Sequence, residues 1–388
     1  MSTTELPATK TGKLFELAEQ GQSVWLDFIT RDLVRSGELE RQIKEDGLRG
    51  MTSNPTIFQG AISKGNAYDE QIAGLIAEGK DASEIFEAVA VKDIQDACDL
   101  YRPLYDSADG HDGLVSIEVS PTLARDTEGT LADGRRLWKS VDRPNVMIKV
   151  PGTDEGVAAI KALLSEGVNV NITLLFSLES HKQVMWAYIE ALEERAKAGL
   201  PIDRIASVAS FFVSRVDTLV DKLLDEKIAA GAGDAESLKS LQGKVAVANA
   251  KLAYENFQEI FGSDRFKALA AKGARVQRPL WASTGTKNKA YSDVLYVDSL
   301  IGPDTVNTLP PATLEAFIDH GTIARTVDQG VAEAHTTLDG LKAAGVDIDA
   351  VTKQLEKEGV ASFAKSFEDL LAGVEAKREE KQKEMNRG

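Results

Sequence analysis

The chain has 388 residues, of which 43% are hydrophobic and 27% are charged. This composition is typical of a globular protein with a large core, built as one large α/β domain or two smaller ones. The net charge of −16 and the pI near 4.9 argue against a nucleic-acid partner and against adsorption to anionic membranes. An anionic substrate would therefore need a local basic site.

The single cysteine, Cys98, excludes a disulfide within the chain and fits a reducing cytoplasm. It lies in a helical pattern, so we expect it to fill the core. The first residues contain no apolar core of signal-peptide length, and no stretch approaches the roughly 18 apolar residues of a membrane span. We therefore predict a cytoplasmic protein that does not enter a membrane.

Short apolar runs alternate with longer amphipathic segments along the chain. In the first half, the predicted order is helix 14–19, strand 24–29, helix 31–46, strand 49–52, helices 57–105, strand 114–119, helix 121–140, strand 145–150 and helix 156–165. In the second half, it is strand 168–173, helix 177–197, strand 204–210, helices 214–271 with a break at 231–234, strand 278–283, strand 305–309 and helices 312–384.

Eight strands that alternate with helices predict a (β/α)8 TIM barrel, with a doubly wound open sheet as the alternative. Against the open sheet, no Gly-x-Gly-x-x-Gly follows a strand, and no Walker-type loop is present. Neither an internal repeat nor a low-complexity linker divides the chain. We therefore predict one barrel domain over 1–388, with a loose N-terminal segment 1–12 and a charged helical tail 375–388.

Several strands carry polar residues at alternate positions. On one face they place Asn169, Asn171 and Thr173 in one strand, and Ser116, Glu118 and Ser120 in another. An antiparallel surface strand would alternate in the same way, so the pattern alone is ambiguous. The long helices between the strands favour a parallel sheet whose polar residues face an enclosed interior.

Lys149 lies within the apolar run of strand 145–150. Lysine is rarely buried unless it is paired or functional. Loss of hydration favours the neutral amine, which is a nucleophile that forms Schiff bases with carbonyl compounds. The alternative is a structural lysine whose ammonium group reaches solvent at the strand end.

Polar residues occur at or near the carboxyl ends of most predicted strands, where barrels place their catalytic groups. They are Asp27, Asn54, Glu118, Lys149, Asn171, Thr173, Ser210 and Ser283. Buried polar groups cost free energy unless they are satisfied, so a purely structural core gives no reason for this pattern. Arg215 and Lys287, which follow the sixth and seventh strands, are candidates for an anion site, or else surface cations.

Metal chemistry has little support in the sequence. The four histidines are scattered, form no ligand-spaced pair and are expected at the surface or at helix ends; they are His111, His181, His320 and His335. We therefore predict no metal ion and no other cofactor.

Six motifs, in order along the chain, resemble the transaldolase family. They are Trp25-Leu26-Asp27, Thr52-Ser53-Asn54-Pro55-Thr56, Ser116-Ile117-Glu118-Val119, Met147-Ile148-Lys149-Val150-Pro151-Gly152-Thr153, Asn171-Ile172-Thr173-Leu174-Leu175-Phe176-Ser177 and Ser210-Phe211-Phe212-Val213-Ser214-Arg215. The long bacterial-type branch is most similar, because Ser283-Thr284-Gly285-Thr286-Lys287-Asn288 replaces the Ser-Phe-Arg of the shorter enzymes.

The resemblance implies a class I enzyme of the non-oxidative pentose phosphate pathway. It would transfer a dihydroxyacetone unit from sedoheptulose 7-phosphate to glyceraldehyde 3-phosphate, giving erythrose 4-phosphate and fructose 6-phosphate. Lys149 would form the Schiff base, and Asp27 would take the proton of the C4 hydroxyl. Glu118 and Thr173 would hold a water that carries protons while the carbinolamine dehydrates. The iminium would serve as the electron sink without a metal.

By the same resemblance, the remaining residues would bind substrate. Asn54, Asn171 and Ser210 would hold the hydroxyls of the three-carbon unit, and Arg215, Ser283 and Lys287 would hold the phosphate. Two alternatives stay open: an aldolase that releases free dihydroxyacetone, and a sugar-phosphate-binding protein without catalysis. Phe212 bears on the first, since the aldolases carry tyrosine there. Neither a monomer nor a homodimer is favoured by the sequence.

Overall fold

The computed structural model describes residues 11–63 and 66–385. Eight parallel strands form a closed barrel in chain order, and the last strand pairs with the first. The strands are β1 (Gln22–Asp27), β2 (Gly50–Thr52), β3 (Leu114–Glu118), β4 (Val146–Pro151), β5 (Val170–Leu175), β6 (Ser207–Phe212), β7 (Arg278–Ala282) and β8 (Thr305–Leu309). The predicted (β/α)8 barrel is confirmed, and the doubly wound open sheet is wrong.

Helices surround this barrel throughout the described residues. The first group comprises α1 (Lys13–Glu19), α2 (Arg31–Arg35), α3 (Glu38–Arg41), α4 (Pro55–Ser63), α5 (Asp69–Ala77), α6 (Ala82–Ser107), α7 (Thr127–Val141), α8 (Asp154–Glu166) and α9 (Leu178–Lys197). The second comprises α10 (Ser214–Ala229), α11 (Ala235–Leu241), α12 (Val245–Phe261), α13 (Asp264–Ala270), α14 (Leu295–Asp298), α15 (Pro311–His320), α16 (Val331–Ala343) and α17 (Ile348–Met385). A loose segment was predicted at 1–12, and residues 1–10 of it lie outside the residues that the structure describes.

The start of β5 lies later than predicted, at Val170 rather than residue 168. The side chain of Asn169 explains the difference. Its amide nitrogen donates to the carbonyls of Pro144 and Val146, at 3.0 and 3.1 Å, and its amide oxygen accepts from Ala206 N at 2.9 Å. The side chain of Asn169 therefore adds to the backbone hydrogen bond that Ile148 N donates to the Asn169 carbonyl at 2.9 Å, and regular pairing begins one residue later.

The carboxyl end of β5 is irregular. Its register with β6 shifts between Ile172 and Leu175, and Leu174 has a φ of 61°. Left-handed backbone is unusual for a branched residue. Bulges of this kind redirect side chains and are frequent beside active sites. The simple alternation predicted for this strand therefore ends at Thr173.

The environment of one histidine was predicted wrongly. His181 lies in α9, fully buried, with its ring 5.5 Å from that of Phe211. Neither ring nitrogen has a hydrogen-bond partner among the described residues, and burial lowers the pKa of His181 to about 3. His181 lies in the first turn of α9, so its place near the start of a helix is as expected, but the apolar face of the helix packs this neutral imidazole into the core and not at the surface.

None of the helices in the described residues has the length and apolar character needed to cross a membrane. They also contain no group of three or more histidine, cysteine, aspartate or glutamate side chains arranged to hold a metal ion. Cys98 is buried in α6.

The long helix α17 runs across the carboxyl end of the barrel. Near its start, Glu356 pairs with Arg125 at 2.8 Å. Near its end, Lys377 and Lys381 pair with Asp69 of α5 at 2.6 and 3.0 Å. The helix continues through Met385, and these ion pairs attach it to the body of the protein near its start and near its end.

A charged cluster closes the opposite, amino-terminal end of the barrel. Arg278, at the start of β7, donates to Ser23 at 2.9 Å and to the carbonyl of His111 at 2.6 Å, and it lies 3.3 Å from Asp112. Asp112 also accepts from Ser23 at 2.7 Å and pairs with Arg49 at 3.0 Å. Burial raises the pKa of Asp112, but Arg278 and Arg49 outweigh it and leave the pKa below its ordinary value.

We predict that Asp112→Asn lowers the free energy of unfolding by about 3 kcal/mol or more, because it leaves the buried Arg278 charge without its partner. The measurement is the urea midpoint at pH 7. Asp99→Asn is the matched control, since Asp99 is 54% exposed in its pair with Arg143 and should cost about 1 kcal/mol or less. Equal midpoints for the two variants would contradict a stabilising role for the cluster.

The pair of Asp112 with Arg278 predicts a pH dependence of the free energy of unfolding. Because the folded-state pKa of Asp112 is lowered, its contribution is fully present above the ordinary value of 3.8. It is lost as the pH falls through the lower folded-state value. The difference in unfolding free energy between wild type and Asp112→Asn should therefore shrink at strongly acidic pH.

Candidate active site

A cavity of about 410 Å³ opens at the carboxyl end of the barrel, beneath α17. Nine of the predicted site residues line it: Asp27, Asn54, Lys149, Thr173, Ser210, Phe212, Arg215, Ser283 and Lys287. The other two, Glu118 and Asn171, do not line it but contact residues that do. The barrel therefore brings together side chains from β1, β4, β5 and β6 and from the segments that follow β2, β6 and β7.

Lys149 lies in β4 and is 5% exposed. Its Nζ donates to the carbonyl of Ser53 at 3.1 Å and lies 3.2 Å from Glu118 Oε2. The ring of Phe363 lies 5.6 Å from the same nitrogen. The amine is therefore buried, held by a carbonyl and a carboxylate, and directed toward the cavity.

Glu118, at the end of β3, is the neighbour of Lys149 in the sheet register. Its contact with Lys149 is an ion pair, but the angles do not make it a hydrogen bond, and neither carboxylate oxygen has such a partner among the described residues. Burial raises the pKa of Glu118, Lys149 opposes the rise, and Asp27 adds to it. A carboxyl group with a raised pKa can both give and take a proton near neutral pH.

Thr173, in β5, resembles Glu118 in one respect. Its hydroxyl is buried and has no hydrogen-bond partner among the described residues. Buried polar groups are normally satisfied, and exceptions often belong to sites that bind water or ligand. Thr173 and Glu118 therefore have hydrogen-bonding capacity available for a molecule in the cavity.

Asp27 ends β1 on another side of the cavity. Its Oδ1 accepts a hydrogen bond of 2.7 Å from Thr52, whose hydroxyl is also 2.6 Å from that of Thr308. Burial raises the pKa of Asp27, and both Lys149 and the Thr52 hydrogen bond oppose the rise. The site thus contains two carboxyl groups with raised pKa values and one amine between them.

Asn171 and Ser210 form a hydrogen-bonded chain with Ser116 inside the barrel. Ser210 donates to the amide oxygen of Asn171 at 2.7 Å, and the amide nitrogen donates to Ser116 at 2.9 Å. This chain fixes the orientation of the Asn171 amide and of the Ser210 hydroxyl. Asn54 immediately precedes α4, and its side-chain oxygen accepts a hydrogen bond from Ile57 N at 3.1 Å.

The three predicted phosphate ligands lie at another part of the cavity. Arg215 stands in the first turn of α10, with its guanidinium 5.3 Å from the ring of Phe212. Ser283 has a φ of 55°, and its hydroxyl lies 3.0 Å from that of Ser214. Lys287 is exposed at the rim. The amino terminus of a long helix adds a favourable potential for an anion here.

The loop that carries Lys287 is anchored to α10. Tyr291 donates to Asp221 of that helix at 2.7 Å, and Tyr296 donates to Asp217 at 2.9 Å. Burial raises the pKa of Asp217 to about 6. These hydrogen bonds hold the loop after β7 against the helix that begins with Arg215.

Sequence reasoning did not identify Thr52, Thr308 or Phe363 as site residues. Thr52 belongs to the motif Thr52–Thr56 and is the last residue of β2, so its place at a strand end is a signal that could have identified it. Thr308 is likewise near the end of β8. No local pattern marks Phe363, which reaches the cavity only because α17 packs across the barrel.

The chain is similar in sequence to known proteins over most of its length. The family model described as Transaldolase/Fructose-6-phosphate aldolase matches residues 24–374. A transaldolase of Trichodesmium erythraeum is 48% identical over 371 residues, which cover 95% of this chain and 98% of that protein. A transaldolase of Mycolicibacterium smegmatis is 51% identical over 359 residues, which cover 92% and 95%.

A third relative extends the same pattern. The transaldolase of Thermobifida fusca is 50% identical over 364 residues, covering 93% of this chain and 97% of that protein. The resemblance predicted from the six motifs is confirmed. The chain belongs to the transaldolase/fructose-6-phosphate aldolase family.

Proposed function

We propose that this family member is a transaldolase, a transferase that works through a lysine Schiff base. It moves a dihydroxyacetone unit from sedoheptulose 7-phosphate to glyceraldehyde 3-phosphate and yields erythrose 4-phosphate and fructose 6-phosphate. The observation that carries the proposal is a buried Lys149 paired with Glu118 in a cavity that Asp27 also lines.

In the first step, Lys149 Nζ adds to the C2 carbonyl of the ketose, and the carbonyl oxygen takes a proton. The resulting carbinolamine loses water and becomes an iminium. Glu118, with its raised pKa, supplies and recovers protons, and a water bound between Glu118 and Thr173 is the proposed carrier. This assignment is supported because neither the Glu118 carboxylate nor the Thr173 hydroxyl has a hydrogen-bond partner in the part of the chain that the structure describes.

In the second step, Asp27 takes the proton of the C4 hydroxyl. The electron pair left on the C4 oxygen forms the aldehyde carbonyl, the C3–C4 bond breaks, and its electron pair moves into the iminium to give an enamine. Erythrose 4-phosphate leaves, and the three-carbon unit stays on Lys149. The raised pKa of Asp27 suits a group that must take a proton here and return it in the next step.

In the third step, the enamine carbon attacks the aldehyde carbon of glyceraldehyde 3-phosphate, and Asp27 returns its proton to the new alkoxide. Hydrolysis of the iminium then releases fructose 6-phosphate and restores Lys149. Asn54, Asn171 and Ser210 are proposed to hold the hydroxyls of the three-carbon unit throughout.

The phosphate of each substrate is proposed to bind at Arg215, Ser283 and Lys287. The charge of the chain makes such local cations necessary, since the protein as a whole would repel an anion. The amino terminus of α10 supports the same location.

The second candidate is an aldolase that releases free dihydroxyacetone, the activity included in the family's description. Phe212 favours the transaldolase, because its place is taken by tyrosine in the aldolases that the motif resembles. Its ring packs 5.1 Å from Phe176 and offers no hydroxyl to the cavity. An assay for free dihydroxyacetone separates the two activities.

Sugar phosphates are the substrates that the family implies. A single domain over 1–388, a cytoplasmic location and a monomeric or homodimeric state remain predictions from the sequence. Sedimentation of the purified protein at several concentrations would test the oligomeric state.

We predict that borohydride reduction in the presence of fructose 6-phosphate attaches the three-carbon unit to Lys149, because reduction traps the Schiff base as a stable amine. Peptide mass mapping locates the adduct. Lys149→Met is the control and should form none. An adduct on another lysine, or turnover without any adduct, would reject the mechanism. Absence of both adduct and turnover would favour the sugar-phosphate-binding protein without catalysis.

Asp27→Asn should still form a Schiff base that borohydride traps on Lys149, with the intact ketose in place of the three-carbon unit, but should lose turnover by roughly two to four orders of magnitude, as expected when a general base is removed. The two measurements are adduct yield with intact ketose and steady-state transfer rate. Turnover close to wild type would exclude Asp27 as the base for carbon–carbon cleavage.

Lys287→Ala should raise KM for fructose 6-phosphate and leave KM for unphosphorylated fructose almost unchanged, because an ammonium at the rim acts on the phosphate charge alone. Lys289→Ala is the matched control, since Lys289 is exposed in the same loop but does not line the cavity. An equal effect of Lys287→Ala on both sugars, or no effect on either, would show that Lys287 is a surface lysine.

A further inference from the structure

We propose that Phe363 of α17 decides how the three-carbon unit is divided between transfer to an aldehyde and loss to water. The inference rests on the transaldolase activity proposed above. It concerns a residue outside the six motifs, contributed by a helix that takes no part in the barrel itself.

The position of Phe363 is the first observation. The ring lines the cavity together with Asp27, Lys149 and Arg215, and it is 8% exposed. Its centroid is 5.6 Å from Lys149 Nζ, within the distance at which an aromatic face attracts a cation. An iminium places its positive charge on the same nitrogen, so the ring covers the group that forms during the reaction.

The close packing of α17 on the barrel is the second observation. Gly359 lies one helical turn before Phe363 on the same face of the helix. A Cβ at Gly359 would stand 3.0 Å from Leu174 Cδ2 and 3.8 Å from an Arg215 nitrogen. The absence of a side chain therefore lets the helix approach the bulged end of β5, and this approach brings Phe363 down onto the cavity.

The attachment of α17 is the third observation. The pair of Glu356 with Arg125 precedes Phe363 along the helix, and the pairs of Lys377 and Lys381 with Asp69 follow it. The ring is thus held over the cavity by contacts on both sides. We infer a fixed apolar cover over the reacting nitrogen.

The chemistry explains why such a cover matters. The enamine that remains after carbon–carbon cleavage has two fates. In transfer, its carbon attacks an aldehyde. In loss, that carbon takes a proton, which leaves an iminium; a water oxygen adds to the iminium carbon, the C=N electron pair returns to nitrogen, and the water loses a proton. The C–N bond of this carbinolamine then breaks, giving free dihydroxyacetone and the amine of Lys149.

Both fates begin from the same enamine and both end with hydrolysis of an iminium, so their ratio is set by the step that differs and not by the amount of active enzyme. That step is attack of the enamine carbon on an aldehyde in transfer, and protonation of the same carbon in loss. An apolar ring next to the nitrogen excludes water, the source of that proton, from one side of the enamine. Phe363 therefore favours transfer by slowing protonation of the enamine carbon.

The test compares two rates in one preparation, with fructose 6-phosphate as donor. Transfer is measured with erythrose 4-phosphate as acceptor, and loss is measured without acceptor as free dihydroxyacetone. In Phe363→Ala, the ratio of loss to transfer should rise about tenfold, which corresponds to a change of about 1.4 kcal/mol in the difference between the two barriers. Phe363→Leu keeps apolar volume without the aromatic face, and its ratio should lie between those of the wild type and of Phe363→Ala.

Phe367→Ala is the matched control. Phe367 lies one turn further along α17 but packs on Phe86 at 5.7 Å and does not line the cavity with Lys149. Its removal should leave the ratio at the wild-type value even if the thermal midpoint falls. A general loosening of α17 would instead raise the ratio in both variants, which would overturn the specific role of Phe363.

Other outcomes are equally distinct. A wild-type ratio in folded Phe363→Ala and Phe363→Leu would refute the inference while leaving the transaldolase activity intact. If the alanine variant fails to fold, the leucine variant decides, and a wild-type ratio there together with wild-type adduct yield on Lys149 counts against the role of the ring. Absence of transfer and of adduct in the wild type would reject the proposed function itself.

Discussion

The arrangement at the carboxyl end of the barrel depends on a single buried amine. Lys149 is held by the carbonyl of Ser53 and by the carboxylate of Glu118, and Asp27 lies across the same cavity. Burial raises the pKa of both carboxyl groups, so the site can hold protons that are exchanged in the reaction. A charge placed in such an environment must be balanced locally, which is why neighbouring strands supply its partners.

The amino-terminal end of the barrel contains a network that stabilises the fold, and the carboxyl end contains the residues proposed for the chemistry. At the amino-terminal end, Arg278 and Asp112 form a network of ion pairs and hydrogen bonds with Ser23 and Arg49. At the carboxyl end, Glu118 and Thr173 keep hydrogen-bonding groups without partners among the described residues. This separation is general in barrels of this kind. It allows unsatisfied polar groups to be tolerated where they act, because the remainder of the fold is held elsewhere.

Transfer of a carbon unit requires that water be kept away from the enamine intermediate, whereas an enzyme that hydrolyses its substrate has no such requirement. The intermediate must persist until an aldehyde arrives, and water is the competing reactant. Helix α17 meets this demand through local packing, since Gly359 allows close approach and Phe363 occupies the space above Lys149. The charged pairs of α17 with Arg125 and Asp69 hold this helix in place, and this gives the C-terminal region a role in the chemistry.

The sequence by itself determined the eight strands, the barrel, the family and the strand-end positions of Asp27, Glu118 and Lys149, because strand periodicity and motifs are local properties of the chain. It did not determine the later start of β5, where the Asn169 side chain bonds to the segments on both sides, or the burial of His181 in α9. It also did not reveal Thr308 beside Thr52, or Phe363 above Lys149. Those contacts join residues far apart in the chain, and their positions follow from how the barrel closes and how α17 packs across it, which no local pattern encodes.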